Sequence, residues 1–225
     1  MAIASPVSQR RTETALLLLT FTTGLIDAVS VLVLGHVFVA NMTGNVVFLG
    51  FWFASHTVVD LTAAVVAFAC FMAGTIVGGR LMRALGGNAR VWIVTALGVE
   101  VALLALLAVL AGAGVLHYHD DTKLVLIAGL ATAFGVQHST ARQFGIQELT
   151  TTVLTSTIVG IGVDSRLAGG TGARQRLRIA VVATMCLGAL VGATLTRFTV
   201  APIIALAAVV VTVSGALFWF GRSAE

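Results

Sequence analysis

The sequence predicts an all-α integral membrane protein, because its composition and its apolar runs fit no soluble domain. Of the 225 residues, 58% are hydrophobic and only 10% are charged, and the mean hydropathy is +1.04. The apolar runs are close to the roughly 20 residues that a helix needs to cross a bilayer. They lack the alternation of β-barrel strands, so helices are the only spanning elements that fit.

The basic residues indicate orientation in the membrane. A net charge of +4 would suggest nucleic-acid binding in a soluble protein, but here the arginines lie in short segments between apolar runs. We therefore expect the lipid bilayer as a partner and no nucleic acid. Arg10 and Arg11 precede a leucine run that resembles a signal peptide. No small-residue cleavage site follows and the run continues to Leu34, so we expect it to be the first helix.

Eight apolar segments follow one another, at about 14–34, 37–55, 61–82, 91–115, 124–141, 149–163, 177–195 and 200–220. If all eight crossed the membrane, five basic residues would lie on one side and eight on the other. Suppose instead that segments one and two make one net crossing, and segments five and six another. Ten basic residues then lie on one side of the membrane and two on the other, with Arg142 within the second broken element. The two are Lys123 and Arg197, and the ten are Arg10, Arg11, Arg80, Arg83, Arg90, Arg166, Arg174, Arg176, Arg178 and Arg222.

That bias predicts six net crossings in a bacterial plasma membrane, with both termini cytoplasmic. The expected organisation is an N-terminal tail (1–13), a first membrane repeat (14–115), an extracytoplasmic loop (116–123), a second membrane repeat (124–221) and a C-terminal tail (222–225). Each half opens with a broken or re-entrant helix. Whether segments 37–55 and 149–163 span or re-enter is left open by the pattern.

The two halves also resemble each other in sequence. Gly24 with Asp27 is echoed by Gly135 with Gln137 and His138, 111 residues later for the glycines. Residues 42–45 are echoed by residues 154–157, an offset of 112, and the glycines at 74 and 78 by those at 188 and 192, an offset of 114. Because three crossings per half is an odd number, the predicted repeats are inverted.

The best candidate site is the segment Asn41-Met-Thr-Gly-Asn45. Gly44 allows the helix to break, and the amides of Asn41 and Asn45 with the hydroxyl of Thr43 could meet a solute, as in the discontinuous helices of transporters. We expect Thr43 to be the N-cap of a helix that restarts here, with its positive dipole end at the break. The alternative is an inter-helix turn at the membrane interface, capped by its own side chains.

Two carboxyl groups lie inside spans. Asp27 is about thirteen residues into the first segment, roughly 20 Å from its cytoplasmic end, which is too deep to reach the headgroups. A lone acid there is expected to couple transport to protons or cations, and the alternative is a structural hydrogen bond to a neighbouring helix. Glu100 invites the same interpretation with less weight, and could instead neutralise an arginine.

The polar stretch of the second half contains Gln137, His138, Arg142, Glu148 and Thr155. His138 is a candidate proton relay, since imidazole titrates near neutral pH. Alternatively, Arg142 and Glu148 form a structural ion pair at the membrane edge. His117 and His119 in the extracytoplasmic loop are too weak a signal for a zinc site, so no metal is expected.

Two glycine pairs, Gly74 with Gly78 and Gly188 with Gly192, predict close helix packing, either within the chain or in a homo-oligomer. The sequence contains no His-Glu-x-x-His, no Gly-x-Ser-x-Gly and no P-loop. We therefore expect neither an enzyme nor a cofactor.

Several of these elements together resemble the YoaK-like family of uncharacterised bacterial membrane proteins. They are Gly24-x-x-Asp27, the run Gly35-x-x-Phe38-Val-Ala-Asn-Met-Thr-Gly-Asn45, Gln137, and Thr151-Thr-Val-Leu-Thr155. Ser156 and His138 stand where the resemblance leads us to expect Gly and Asn. The resemblance covers nearly the whole chain and implies a six-span membrane protein, without a substrate or an assigned binding residue.

These observations predict a proton-coupled secondary transporter of a small polar solute. Its site is expected near the bilayer midplane between the broken elements, with Asp27 or His138 as the coupling group. The alternatives are a channel or passive facilitator, which needs a polar path but no titrating group, and a membrane scaffold that transports nothing. A scaffold would hold Asp27 in a closed hydrogen bond.

Overall fold

The computed structural model describes residues 5–53, 58–144 and 154–221, which form eight α-helices and no β-strand. The helices are α1 (Gln9–Val33), α2 (Met42–Leu49), α3 (Leu61–Leu85), α4 (Ala89–Gly112), α5 (Lys123–Ala141), α6 (Leu154–Val163), α7 (Gln175–Leu195) and α8 (Ala201–Trp219). Six of them are long and apolar enough to cross a membrane. With 8 and 10 residues, α2 and α6 are too short. The predicted all-α fold with six spans is confirmed.

The first two apolar segments together cross the membrane once. After α1 the chain turns at Gly35 and His36, both with positive φ, at 114° and 59°. The N–H of Asp60, just before α3, donates to the carbonyl of Gly35 at 3.0 Å. The third helix therefore begins on the side of the bundle where the first one ends, and α2 adds no crossing.

The fifth helix begins on that same side. Lys123, its first residue, lies 2.8 Å from the carboxylate of Asp60, which also caps α3 by accepting from the N–H of Ala63 at 3.0 Å. Partial burial raises the pKa of Asp60, but the hydrogen bond from Lys123 and that of the cap outweigh it and hold the pKa below its usual value. The ion pair thus joins the starts of α3 and α5.

Both ends of the described chain lie on the opposite side. Arg90, in the first turn of α4, donates to the carbonyls of Trp219 and Gly221 at the end of α8, at 3.2 and 2.8 Å. It also donates to the carbonyl of Pro6, before α1, at 3.4 Å. One guanidinium therefore holds together the starts of α1 and α4 and the end of α8.

Glycines bring two pairs of parallel helices into close contact. A Cβ on Gly188 of α7 would overlap the carbonyl of Phe21 on α1, and a Cβ on Gly74 of α3 would overlap that of Thr132 on α5. Gly192 and Gly78 lie one turn further along the same two seams. Both glycine pairs thus pack against helices of the same chain, and the association of copies through them stays a prediction. Such contacts stabilise helix packing where lipid offers no hydrophobic driving force.

Replacing Gly135 of α5 by alanine should destabilise the fold. An added Cβ would overlap the carbonyl of Phe71, and forcing these backbones apart should cost about 1–3 kcal/mol. The control is Gly98→Ala on α4, where an added Cβ meets nothing within 4 Å; alanine there should be neutral or slightly stabilising. Thermal unfolding of the two variants in the same detergent checks this, and equal midpoints would contradict the packing.

Candidate functional site

The carboxylate of Asp27 binds the backbone of the segment that follows α1. Asp27 is 4% exposed. One oxygen accepts from the N–H groups of Val39 and Ala40, both at 2.9 Å. The other accepts from the N–H of Asn41 at 3.2 Å and from its side-chain amide at 2.5 Å. Both carboxyl oxygens are therefore acceptors for donors of the non-helical chain, which could find no water in hydrocarbon.

These bonds place the start of α2 deep in the bundle. Asp27 lies seven residues before Leu34, so the chain returns by about 10 Å from the end of α1 before α2 begins. The N-terminus of α2 then lies beside the carboxylate, where the positive end of its dipole is favourable. The described part of the segment, residues 37–53, is therefore not a span, because its helix covers only Met42–Leu49.

The structure places the other residues of this candidate segment as follows. Asn41 occupies the N-cap position of α2, and its side chain donates to Asp27 instead of capping the helix. Thr43 is exposed on α2. The prediction that Thr43 is the N-cap was wrong, because α2 begins at Met42 with Asn41 as its N-cap. The carboxylate of Asp27 on α1 accepts from the N–H groups before the helix, so the helix can begin before Thr43.

The two remaining residues of the segment, Gly44 and Asn45, both contact Phe38. Asn45 pairs with its backbone: the amide oxygen accepts from the Phe38 N–H at 2.9 Å, and the amide nitrogen donates to the Phe38 carbonyl at 2.5 Å. Gly44 lies against the Phe38 ring, where a Cβ would collide with it. Asn45 and Gly44 thus hold the turn together.

A second polar cluster joins α1 to α5. Buried Gln137 donates through its amide nitrogen to the hydroxyl of Thr23 at 3.2 Å and to the carbonyl of Leu19 at 3.4 Å. Its amide oxygen accepts from the hydroxyl of Thr22 at 3.3 Å. Neither threonine was predicted from the sequence, although the three threonines between residues 20 and 23 of one span are a visible signal.

His138 follows Gln137 directly on α5, which runs antiparallel to α1. The Nδ1–H of His138 donates to the carbonyl of Phe134 at 2.9 Å. Its ring packs edge-on against Phe71, with the centroids 5.5 Å apart. This is a mostly apolar setting close to the middle of the bundle.

The other candidates lie apart from these two clusters. Arg142 is exposed at the end of α5, and Thr155 is exposed on α6. Glu148 lies outside the described residues, so its pairing with Arg142 stays a prediction. Glu100 is fully buried on α4 and forms no ion pair with the described residues. Among the described residues, Glu100 therefore does not neutralise an arginine, as the alternative interpretation suggested.

Comparison with known proteins gives a family and one named relative. The model of a family described as "Protein of unknown function (DUF1275)" matches residues 15–217. The chain is 32% identical over 157 residues to the UPF0700 transmembrane protein YoaK of Bacillus subtilis (strain 168). That alignment covers 68% of this chain and 66% of the relative, slightly less than two thirds of its length. No solved structure matches.

Replacing Asp27 by asparagine should destabilise the protein although the two side chains are nearly the same size. The amide nitrogen would face donors of the Val39–Asn41 segment, and leaving a buried donor unpaired costs about 1–3 kcal/mol. Ser30→Ala is the control, because among the described residues the hydroxyl of Ser30 bonds only to the backbone carbonyl one turn earlier. Unfolding midpoints in detergent measure both. A loss for Asp27→Asn no larger than that of the control would show that these bonds contribute little.

Proposed function

The chain belongs to the DUF1275 family of proteins of unknown function, as its resemblance to the YoaK-like family predicted, and we propose that it is a proton-coupled secondary transporter of a small polar solute. The observation that carries the proposal is the non-helical segment at Asp27. Irregular backbone at membrane depth is tolerated where protein buries it or where it lines a cavity, and broken helices are typical of transporter sites.

The proposal includes two inverted repeats, α1–α4 and α5–α8. Gly24 of α1 contacts Met185 and Ala189 of α7, while Gly135 of α5 contacts Phe71 and Thr75 of α3. Gly135 follows Gly24 by 111 residues, and Met185 and Ala189 follow Phe71 and Thr75 by 114. These matching contacts support a two-fold relation between the halves.

The directions of the helices support inversion of that relation. The successive contacts of Gly188 with Phe21 and of Gly192 with Leu25 make α7 parallel to α1. Contacts of Gly74 with Thr132 and of Gly78 with Val136 make α3 parallel to α5 in the same way. The start of α5 adjoins the side where α1 ends, so these two helices are antiparallel. Rocking of such halves about a central site is how inverted-repeat transporters alternate access.

The proposed site lies between α1 and α5 near the centre of the bundle. Asp27, beside the start of α2, lies four residues after Thr23 on α1, and His138 follows Gln137 on α5. The threonine hydroxyls around Gln137 and the amide itself offer both donors and acceptors to a small polar solute.

We also propose that the membrane is the bacterial plasma membrane and that both termini are cytoplasmic. The ten-to-two distribution of basic residues supports this orientation, since cytoplasmic loops carry the excess of Lys and Arg. Arg90, Arg174 and Arg176 all lie at the starts of α4 and α7, the side to which the positive-inside rule assigns them.

One observation favours a second candidate function, a membrane scaffold that transports nothing. The four hydrogen bonds to Asp27 form the closed arrangement that a structural role requires. Under this alternative the buried polar groups hold the helices in place and bind no solute.

Uptake into liposomes containing the purified protein tests the proposal. A panel of labelled amino acids, nucleobases and small organic acids should include a solute whose uptake exceeds that of empty liposomes and rises when a pH gradient is imposed. Uptake that ignores the gradient would favour a passive facilitator. If the folded protein takes up no member of the panel and none shifts its unfolding midpoint, the scaffold is the better account.

A further inference from the structure

Glu100 is a buried acid whose carboxyl group has no partner among the described side chains. It is 0% exposed and lies eleven residues after the start of α4, about 16 Å along the helix axis. Within the part of the chain that the structure describes, neither of its carboxyl oxygens has a hydrogen-bond partner, and only the indole N–H of Trp92 shares that condition. Unpaired polar groups are rare inside proteins and call for an explanation.

Two contacts of α4, one with α5 and one with Phe144 just after α5, lie on either side of Glu100 along the helix. Leu107 of α4 lies against Gly129 of α5, where an added Cβ would be 2.8 Å from its side chain. The rings of Trp92 and Phe144 meet further along, with centroids 6.5 Å apart. Between these two contacts the antiparallel helices place Glu100 level with Val136, which is an apolar position.

No described basic group is placed to pair with Glu100. The helix α8, which packs along α4, contains no Asp, Glu, Lys, Arg or His. On α4 itself Arg90 bonds to backbone carbonyls at the membrane edge. The remaining titratable groups of α3 and α5, the other helices packed on α4, are Cys70, Arg80, Arg83, Lys123 and His138.

The four basic groups among them lie elsewhere. Lys123 pairs with Asp60 at the opposite side of the membrane. Arg80 and Arg83 are exposed near the end of α3. His138 is nine residues from Gly129, which is half a turn round the helix, so it faces away from the side of α5 that meets α4.

We propose that Glu100 is the proton-binding group of this protein. An unpaired carboxylate in hydrocarbon is costly, whereas the neutral acid is tolerated. Glu100 therefore holds a proton at rest and releases it when a conformational change admits water or a basic group. The inference rests on the proposed function only for its last step, in which this proton is the one that drives transport.

The assignment differs from the expectation that Asp27 couples transport to protons. All four partners of Asp27 are donors, and they hold the non-helical segment in place. A change in the charge of Asp27 would weaken that segment. Glu100 has no such bonds to lose, so it can gain and lose a proton without disrupting its own helix.

Infrared spectroscopy of the purified protein at neutral pH tests the protonation directly. The difference spectrum between the parent and Glu100→Gln should contain the C=O stretching band of one protonated carboxylic acid, at a position shifted by D₂O. The control difference, with Glu13→Gln, should lack that band, because Glu13 lies near the start of α1 and is not fully buried, and its described hydrogen bond is with Gln9. A parent without the band would overturn the proposal.

Stability gives a second readout that separates proton binding from a structural role. Glu100→Met keeps the volume of the side chain and removes a buried group without partners, so its unfolding midpoint should equal or exceed that of the parent. A midpoint clearly below that of the parent would mean that Glu100 makes a stabilising interaction, and would overturn the proposal even if Glu100→Gln did not fold.

The transport step is tested with the same liposomes and solute panel. Glu100→Gln should take up solute equally with and without the pH gradient, while exchange of labelled for unlabelled solute persists. A variant that still responds to the gradient would overturn the coupling role of Glu100 but leave transport intact. If the parent transports nothing, the proposed function fails, and the infrared band and the Glu100→Met midpoint decide whether Glu100 binds a proton.

Discussion

The structure depends on one constraint, which is that backbone N–H groups inside a bilayer need acceptors from the protein itself. Six helices meet this requirement internally, but the chain between α1 and α2 does not. Asp27 supplies the missing acceptors to Val39, Ala40 and Asn41 from a position twelve to fourteen residues earlier. This allows a short helix to begin deep in the bundle, and it makes an expensive buried acid a structural part of the break.

Close packing then joins the two halves. Because α1 packs on α7 and α3 packs on α5, each half contributes one helix to each glycine seam, and α4 packs on α8 between them. The polar side chains that remain, Gln137 with its two threonines and Glu100, lie among these helices and face protein. The interlocking explains why both small-residue motifs are used within one chain.

The six crossings and the re-entrant start could be predicted from the sequence because arginine placement and helix length are local properties. The partners of the polar groups could not. Asp27 and Asn41 both stood out, yet only the folded turn at Gly35 brings one to the other. The same holds for Gln137, whose partners lie more than a hundred residues away. Capping preferences read from neighbouring residues favoured Thr43 as the N-cap. In the structure Asp27, distant in sequence, accepts from the N–H groups before α2 instead.

Hydrogen exchange of the backbone amides is the most direct measure of whether Asp27 holds the break together. In the parent, peptides covering residues 37–41 should exchange slowly, because their N–H groups are buried and bonded. In Asp27→Ala the same peptides should exchange faster, while those covering the interior of α8 keep their protection. If residues 37–41 exchange at the same rate in the parent and the variant, the carboxylate does not hold this segment and the account of the site is wrong.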